Sequence, residues 1–279
     1  MKESTRGVCS FPAALLFFSL SVCGGFASDL VLHYSFNTDD GGIVYDQSGL
    51  GNNGSVSGAS FAAWSCGGAY EFDGVDDSIF VPQSASLSVT GSLTLAAWMK
   101  VYNYNRQRPI LEWNTTGTSG AHMWTGVWGW QWGGKGTGAN LVDITGNENS
   151  YVVSTANPPA NQWQHLAVTY DRSAGVGRVY INGVLKAEKQ LGIFTPKTAL
   201  DLYIGKRPGQ AEDPFYGMLD EIRVYNGALA SNEVLALCLA SINCEPTYGA
   251  ATCAIEPAAA VSEGAQWRLT SGAQTYWND

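Results

Sequence analysis

The 279-residue chain is poor in charge, with 14 % charged residues and only three histidines. Acidic residues outnumber basic ones, 24 to 15, for a formal charge of −9. That balance argues against a nucleic-acid backbone or an anionic membrane as the main partner. The cysteines form no C-x-x-C pair and no cysteine–histidine cluster at zinc spacing, which removes the usual zinc and dithiol-redox chemistries. His33, His122 and His165 have no nucleophile or metal partner at a telling spacing, and the glycines punctuate strands rather than cradle a phosphate. No apolar run is long enough to span a bilayer as a stable helix.

The first residues read as a targeting signal. Lys2 and Arg6 make a basic n-region, residues 13–22 an apolar stretch, and Gly25-Phe26-Ala27 a small-x-small cleavage site. Residues 1–27 are therefore predicted as a signal peptide cleaved near Ala27, giving a secreted, extracellular or cell-envelope protein. Export leaves Cys66, Cys238, Cys244 and Cys253 in an oxidising space, where four cysteines allow three disulfide pairings.

Glycine (33 residues) and aromatics (12 %) are plentiful, as a β-sandwich with many turns requires. Alternation predicts strands over residues 30–36, 69–72, 78–81, 92–101, 109–113, 122–132, 163–170, 178–181, 184–187, 199–204 and 215–225. Residues 37–58 read as a polar loop, and Asn182-Gly183 as a tight hairpin turn. In the last strand, strict parity puts Met218, Asp220, Ile222 and Val224 on one face, so Asp220 stands as a carboxylate among apolar side chains. Ser231 is expected to cap a short helix over residues 232–239. No βαβ alternation occurs, so the fold class is all-β, an antiparallel two-sheet sandwich. Residues 28–239 form this domain, and residues 240–279 a cysteine-containing tether with the possible opening of a second β module.

The ordered set Tyr34-Ser35-Phe36, residues 46–54, Phe72-Asp73-Gly74-Val75-Asp76-Asp77, residues 93–100, residues 163–171, Tyr180-Ile181-Asn182-Gly183 and residues 217–229 resembles the LamG-like jelly-roll family of the concanavalin A-like lectin/glucanase superfamily. The resemblance covers about residues 30–237 and departs from the family pattern at Asn226-Gly227 and at Ala230, where the family usually caps the helix. It implies a jelly-roll used mostly for binding or adhesion, often stabilised by calcium, and rarely catalytic.

Three constellations follow. Asp46, Asp73 and Asp220 are candidate calcium ligands, because first and last strands of a sandwich are commonly neighbours and calcium collects several oxygens at flexible angles. Asp39, Asp76 and Asp77 lie among them, and the competing role is turn capping. Trp124, Trp128, Trp130 and Trp132 share one parity, so an unbroken strand carries them on one face, as a sugar-stacking platform or as core packing. Gly126 between them would leave room for a ligand. Glu71-Phe72-Asp73-Gly74-Val75-Asp76 mimics the Glu-x-Asp-x-x-Glu run of retaining glycosidases on this fold, but ends in aspartate and contains a glycine expected to turn the chain. The function expected is a secreted, non-catalytic module recognising a polysaccharide or other extracellular surface; the alternatives are a purely structural domain and a glycoside hydrolase. The preferred disulfides are Cys66–Cys238 and Cys244–Cys253.

Overall fold

The computed structural model describes residues 28–64, 67–127, 135–148, 150–209 and 213–242. Two antiparallel sheets face each other. Sheet A runs β14 (Val184–Gln190), β13 (Val176–Ile181), β12 (Gln164–Asp171), β7 (Leu93–Val101), β16 (Tyr216–Asn226), β5 (Gly67–Asp73), β4 (Ser60–Trp64), with β1 (Asp29–Tyr34) also paired to β16. Sheet B runs β11 (Tyr151–Val153), β10 (Gly136–Asn140), β9 (Thr118–Val127), β8 (Arg108–Thr115), β15 (Leu202–Ile204), β6 (Ser78–Val81), β3 (Gly54–Ser57), β2 (Ile43–Val44). First and last strands do pair, with His33 opposite Arg223.

Period-2 alternation builds the core. Leu95, Ala97 and Met99 of β7, and Leu166, Val168 and Tyr170 of β12, meet Leu111, Trp113, Met123, Ile79, Val81, Leu202 and Ile204 of sheet B. The intervening residues of sheet A, among them Ala96, Trp98 and Ala167, pack beneath a helix, α1 (Ser231–Ile242), through Val234, Leu237 and Cys238. Sheet A is therefore apolar on both faces, which explains the nearly continuous burial of β7 and β12.

The helix starts differently from the sequence expectation. Ser231 is already helical, and Ala230 is the N-cap: its carbonyl accepts from Val234 N at 3.0 Å. Glu233 reaches back to Ala230 N at 2.7 Å, which is half of a capping box. Ser231 Oγ is instead 3.1 Å from Tyr180 Oη.

Strict parity also fails in β16. The register to β7 shifts between Asp220 and Arg223, and Glu221 takes a left-handed φ of 51°. The bulge flips the faces: Leu219, Ile222 and Val224 enter the core between the sheets, while Met218 and Tyr225 pack on the α1 side. Asp220 thus does not share a face with Ile222 and Val224. It stands opposite Trp98, and its Oδ1 accepts Glu221 N at 2.7 Å.

The polar loop expected over residues 37–58 contains β2 and β3, and β4, β10 and β11 were likewise missing from the sequence pattern. Asn182 and Gly183 have φ of 53° and 79°, the doubly left-handed turn that Asn-Gly favours. The expected strand over residues 122–132 is described as far as Val127. Gly126 has φ 66°, and a Cβ there would come within 2.4 Å of the Arg106 carbonyl oxygen. Its missing side chain admits a neighbouring backbone rather than a ligand, and its left-handed φ interrupts the alternation on which a shared tryptophan face was predicted. Among the described residues no helix is long and apolar enough to cross a membrane.

Candidate functional site

The outer face of sheet B, with no helix packed on it among the described residues, carries the densest constellation of polar and aromatic side chains. One rung crosses all eight strands, each residue directly opposite the next: Ile43, Ser55, Phe80, Tyr203, Glu112, His122, Asn140, Tyr151. The adjacent rung, from Val56 through Ile79, Ile204, Leu111 and Met123 to Val152, lies in or against the core, so this one points away from it. At about 4.8 Å per strand the rung is roughly 34 Å long. Phe80 and Tyr203 are partly exposed, with ring centroids 5.2 Å apart.

Glu112 is the hub of this face, although its side chain has 0 % exposure. Trp124 Nε1 donates to it at 2.9 Å, Arg207 Nε at 2.8 Å, and Asn114 Nδ2 supplies a further donor. These donors compensate the burial of the carboxylate. The Arg207 guanidinium also lies 4.5 Å over the Trp124 ring, so Glu112 and Arg207 hold the indole from its edge and its face. His122 Nδ1 lies 2.9 Å from the Gly120 carbonyl, which fixes it as the protonated nitrogen, and burial pushes the ring's pKa down. Trp124, predicted from parity, is in this site; Trp128, Trp130 and Trp132 lie outside the described residues. Glu112, Arg207 and Tyr203 were missed. Glu112 alternates with Leu111 and Trp113, a pattern that flags it only once its strand is known to turn one face away from the core.

The three predicted calcium ligands are not brought together. Asp46 is a turn cap: Oδ1 accepts His33 N and Ser48 N at 3.0 and 2.9 Å, and Oδ2 accepts Ser48 Oγ and Asn52 N at 2.7 and 3.0 Å. Asp220 lies four residues along β16 from Tyr216, the partner of Asp73, a separation of roughly 13 Å. Asp73 instead joins Asp76 and Asp77, their oxygens within 4.8 Å of one another, the only such acidic group among the described residues. Asp77 Oδ2 accepts Asp73 N at 2.7 Å, Asp73 Oδ1 accepts Val75 N at 2.8 Å, and burial raises the Asp77 pKa. Lys206 Nζ donates to the Asp76 carbonyl at 3.2 Å.

The glycosidase-like run turns at Gly74, φ 78°, immediately after β5 ends. Asp76 therefore leaves the strand that carries Glu71, and Glu71 Oε1 is taken by Tyr102 Oη at 2.5 Å. Cys238 is fully buried against Trp98 and Trp163 and is held in a disulfide. Cys66, Cys244 and Cys253, like the leader 1–27 and the tether from 243 onward, lie outside the described residues.

Two face-to-face antiparallel sheets, one covered by a helix and the other with no helix on it among the described residues, define a jelly-roll of the lectin and glucanase type. The model of the family described as the concanavalin A-like lectin/glucanases superfamily matches residues 73–235, more than half of the chain, and the chain belongs to that family. No curated protein sequence matches it. Among solved structures it is similar to domain 4 of an extracellular GH43 arabinanase from Geobacillus stearothermophilus, in complex with arabinotriose. There the identity is 22 %, the TM-score 0.57, and the match covers 76 % of this chain and 98 % of that one. It is also similar to the binding domain of botulinum neurotoxin serotype G (17 % identity, TM-score 0.55, 76 % of this chain and 51 % of that one). A third is the Trypanosoma rangeli sialidase in complex with 2,3-difluorosialic acid (16 % identity, TM-score 0.55), where 76 % of this chain spans 33 % of that one. At these identities the likeness concerns the fold, which binding domains and enzymes share.

Proposed function

We propose that the domain is a secreted, non-catalytic glycan-binding module whose binding face is the outer face of sheet B. The observation that carries this reading is the transverse rung, with the aromatic pair Phe80–Tyr203 at one part and Trp124 braced by Glu112 and Arg207 beside it. Aromatic faces stack on the apolar faces of sugar rings, and preset side chains lower the entropy lost on binding. The arabinotriose held by the arabinanase domain of similar fold supports the ligand class by analogy. Affinity electrophoresis against linear arabinan, xylan and β-glucan tests it. Retardation by at least one polysaccharide, weakened about tenfold or more in Trp124→Ala and Tyr203→Ala, is the expected result. No retardation on any matrix, or retardation indifferent to both variants, removes this face.

The rival, a purely structural module, draws on the burial of Glu112, His122 and Asn140 in the middle of the rung, and the same gels decide between them. Calcium belongs to this reading only at Asp73, Asp76 and Asp77, two of which are exposed. There, Ca²⁺ should raise the melting temperature over EDTA in the native chain and not in Asp76→Asn; superimposable melts of the native chain would remove calcium.

A further inference from the structure

A second cleft, of about 340 Å³, opens where β12 begins, between the loop after β11 and the β13–β14 turn. Pro158, Pro159, Ile181 and Val184 supply apolar walls, and Asn157, Gln164, Asn182 and Lys186 its polar groups. The orientation of each amide is dictated by a backbone donor. His165 N donates to Asn182 Oδ1 at 2.9 Å, which makes the other atom of that amide an N–H group; it donates in turn to Gln164 Oε1 at 2.8 Å. Gly126 N donates to Asn157 Oδ1 at 3.3 Å, and Thr137 Oγ1 donates to the same oxygen at 3.2 Å.

Each of the three amide oxygens thus accepts from within the protein, that of Asn157 twice. What Asn157 and Gln164 have left to offer is Nδ2 and Nε2, two donors with no partner among the described residues; Lys186 adds an ammonium with no ion pair among them, and the exposed Thr155 hydroxyl can donate or accept. No carboxylate lines the cleft, although the chain carries a formal charge of −9. Donors outnumber acceptors among the lining side chains, so a neutral sugar hydroxyl finds more partners for its lone pairs than for its proton. An oxyanion brings only lone pairs and matches the single positive charge.

We propose that this cleft is a second binding site, distinct from the Trp124 face, for a singly charged oxyanion carried on a sugar ring, a carboxylate or a sulfate ester, with the ring against Pro158, Ile181 and Val184. The test is calorimetry on the full chain with glucuronate, N-acetylneuraminate and galactose 6-sulfate, each against glucose. At least one acidic sugar should bind about tenfold tighter than glucose, and which one does so separates carboxylate from sulfate. Lys186→Ala, an exposed position whose change leaves the fold intact, should remove about tenfold of that affinity, while Trp124→Ala should leave it unchanged. No binding of any acidic sugar, affinity equal to glucose, or indifference to Lys186→Ala overturns the proposal. Loss of binding in Trp124→Ala would overturn the claim of a separate site. Because the polysaccharide gels read Trp124 and Tyr203, failure of either proposal leaves the other standing.

Discussion

His165 is the most demanding residue in the molecule. It is fully buried beside Trp98, neither ring nitrogen has a hydrogen-bond partner among the described residues, and burial, with a lesser contribution from Arg223, depresses its pKa from 6.5 to about 3. The unfolded chain takes up a proton on this ring near pH 6.5, whereas the folded chain does so only near pH 3. The contribution to stability is therefore complete above pH 6.5 and lost as the pH falls through that window. The slope from this group is at most about 1.4 kcal/mol per pH unit. Urea melts between pH 7 and pH 4 should show a shallower fall for His165→Gln than for the native chain; parallel lines would refute the assignment. Glu112 is demanding in the opposite sense. Its carboxylate sits among donors, so Glu112→Ala strands Arg207 and Trp124 Nε1 and should cost about 3 kcal/mol, readable as a shift in the urea midpoint. Neither role was legible in the sequence. Histidine and glutamate in alternating strands give no sign of burial until the helix over one sheet and the Trp124 and Arg207 side chains over the other are in place. The capping role of Asp46 was legible, because Asp followed by Ser and two Asn is local turn chemistry.

The elements divide by length. β7, β12 and β16 were legible because nine, eight and eleven residues give enough alternation to identify a strand. β2, β11 and β15, with two or three residues each, depend on neighbours already in place; only β15 fell within an expected strand, and β10, Gly-Thr-Gly-Ala-Asn, has the composition of a turn. In β16 the bulge defeated parity, since Asp220 and Glu221 look like ordinary members of a strand. At the start of α1, Ala230 leaves the cap one hydroxyl short. Ala230→Ser should stabilise the domain by about 1 kcal/mol by giving Glu233 N a hydroxyl oxygen to donate to, checked by a rise in melting temperature that Ala230→Val does not reproduce. In β9, Gly126→Ala combines a left-handed φ with a contact to the Arg106 carbonyl and should cost upward of 2 kcal/mol in the same measurement.

At the scale of the whole molecule, the two-sheet architecture and its family were legible from ordered marks spread along the chain, while the site was not, because it is assembled across strands separated by tens of residues. Glu112 and Arg207 are 95 residues apart in sequence and meet only when β15 inserts beside β8. The same logic applies to Cys238. If its partner is Cys66, the bond closes a loop of some 170 residues and should contribute about 5 kcal/mol in the loop-entropy account, so non-reducing peptide maps should show the Cys66–Cys238 pair and reduction should lower the melting temperature.

The helix lying on sheet A has one more consequence. The domain is entered through β1, a strand of sheet A, and left through α1 on that sheet's far side. The first and last described elements, β1 and α1, thus both belong to the sheet A side of the sandwich. An extended surface laid against sheet B therefore meets neither of these two elements.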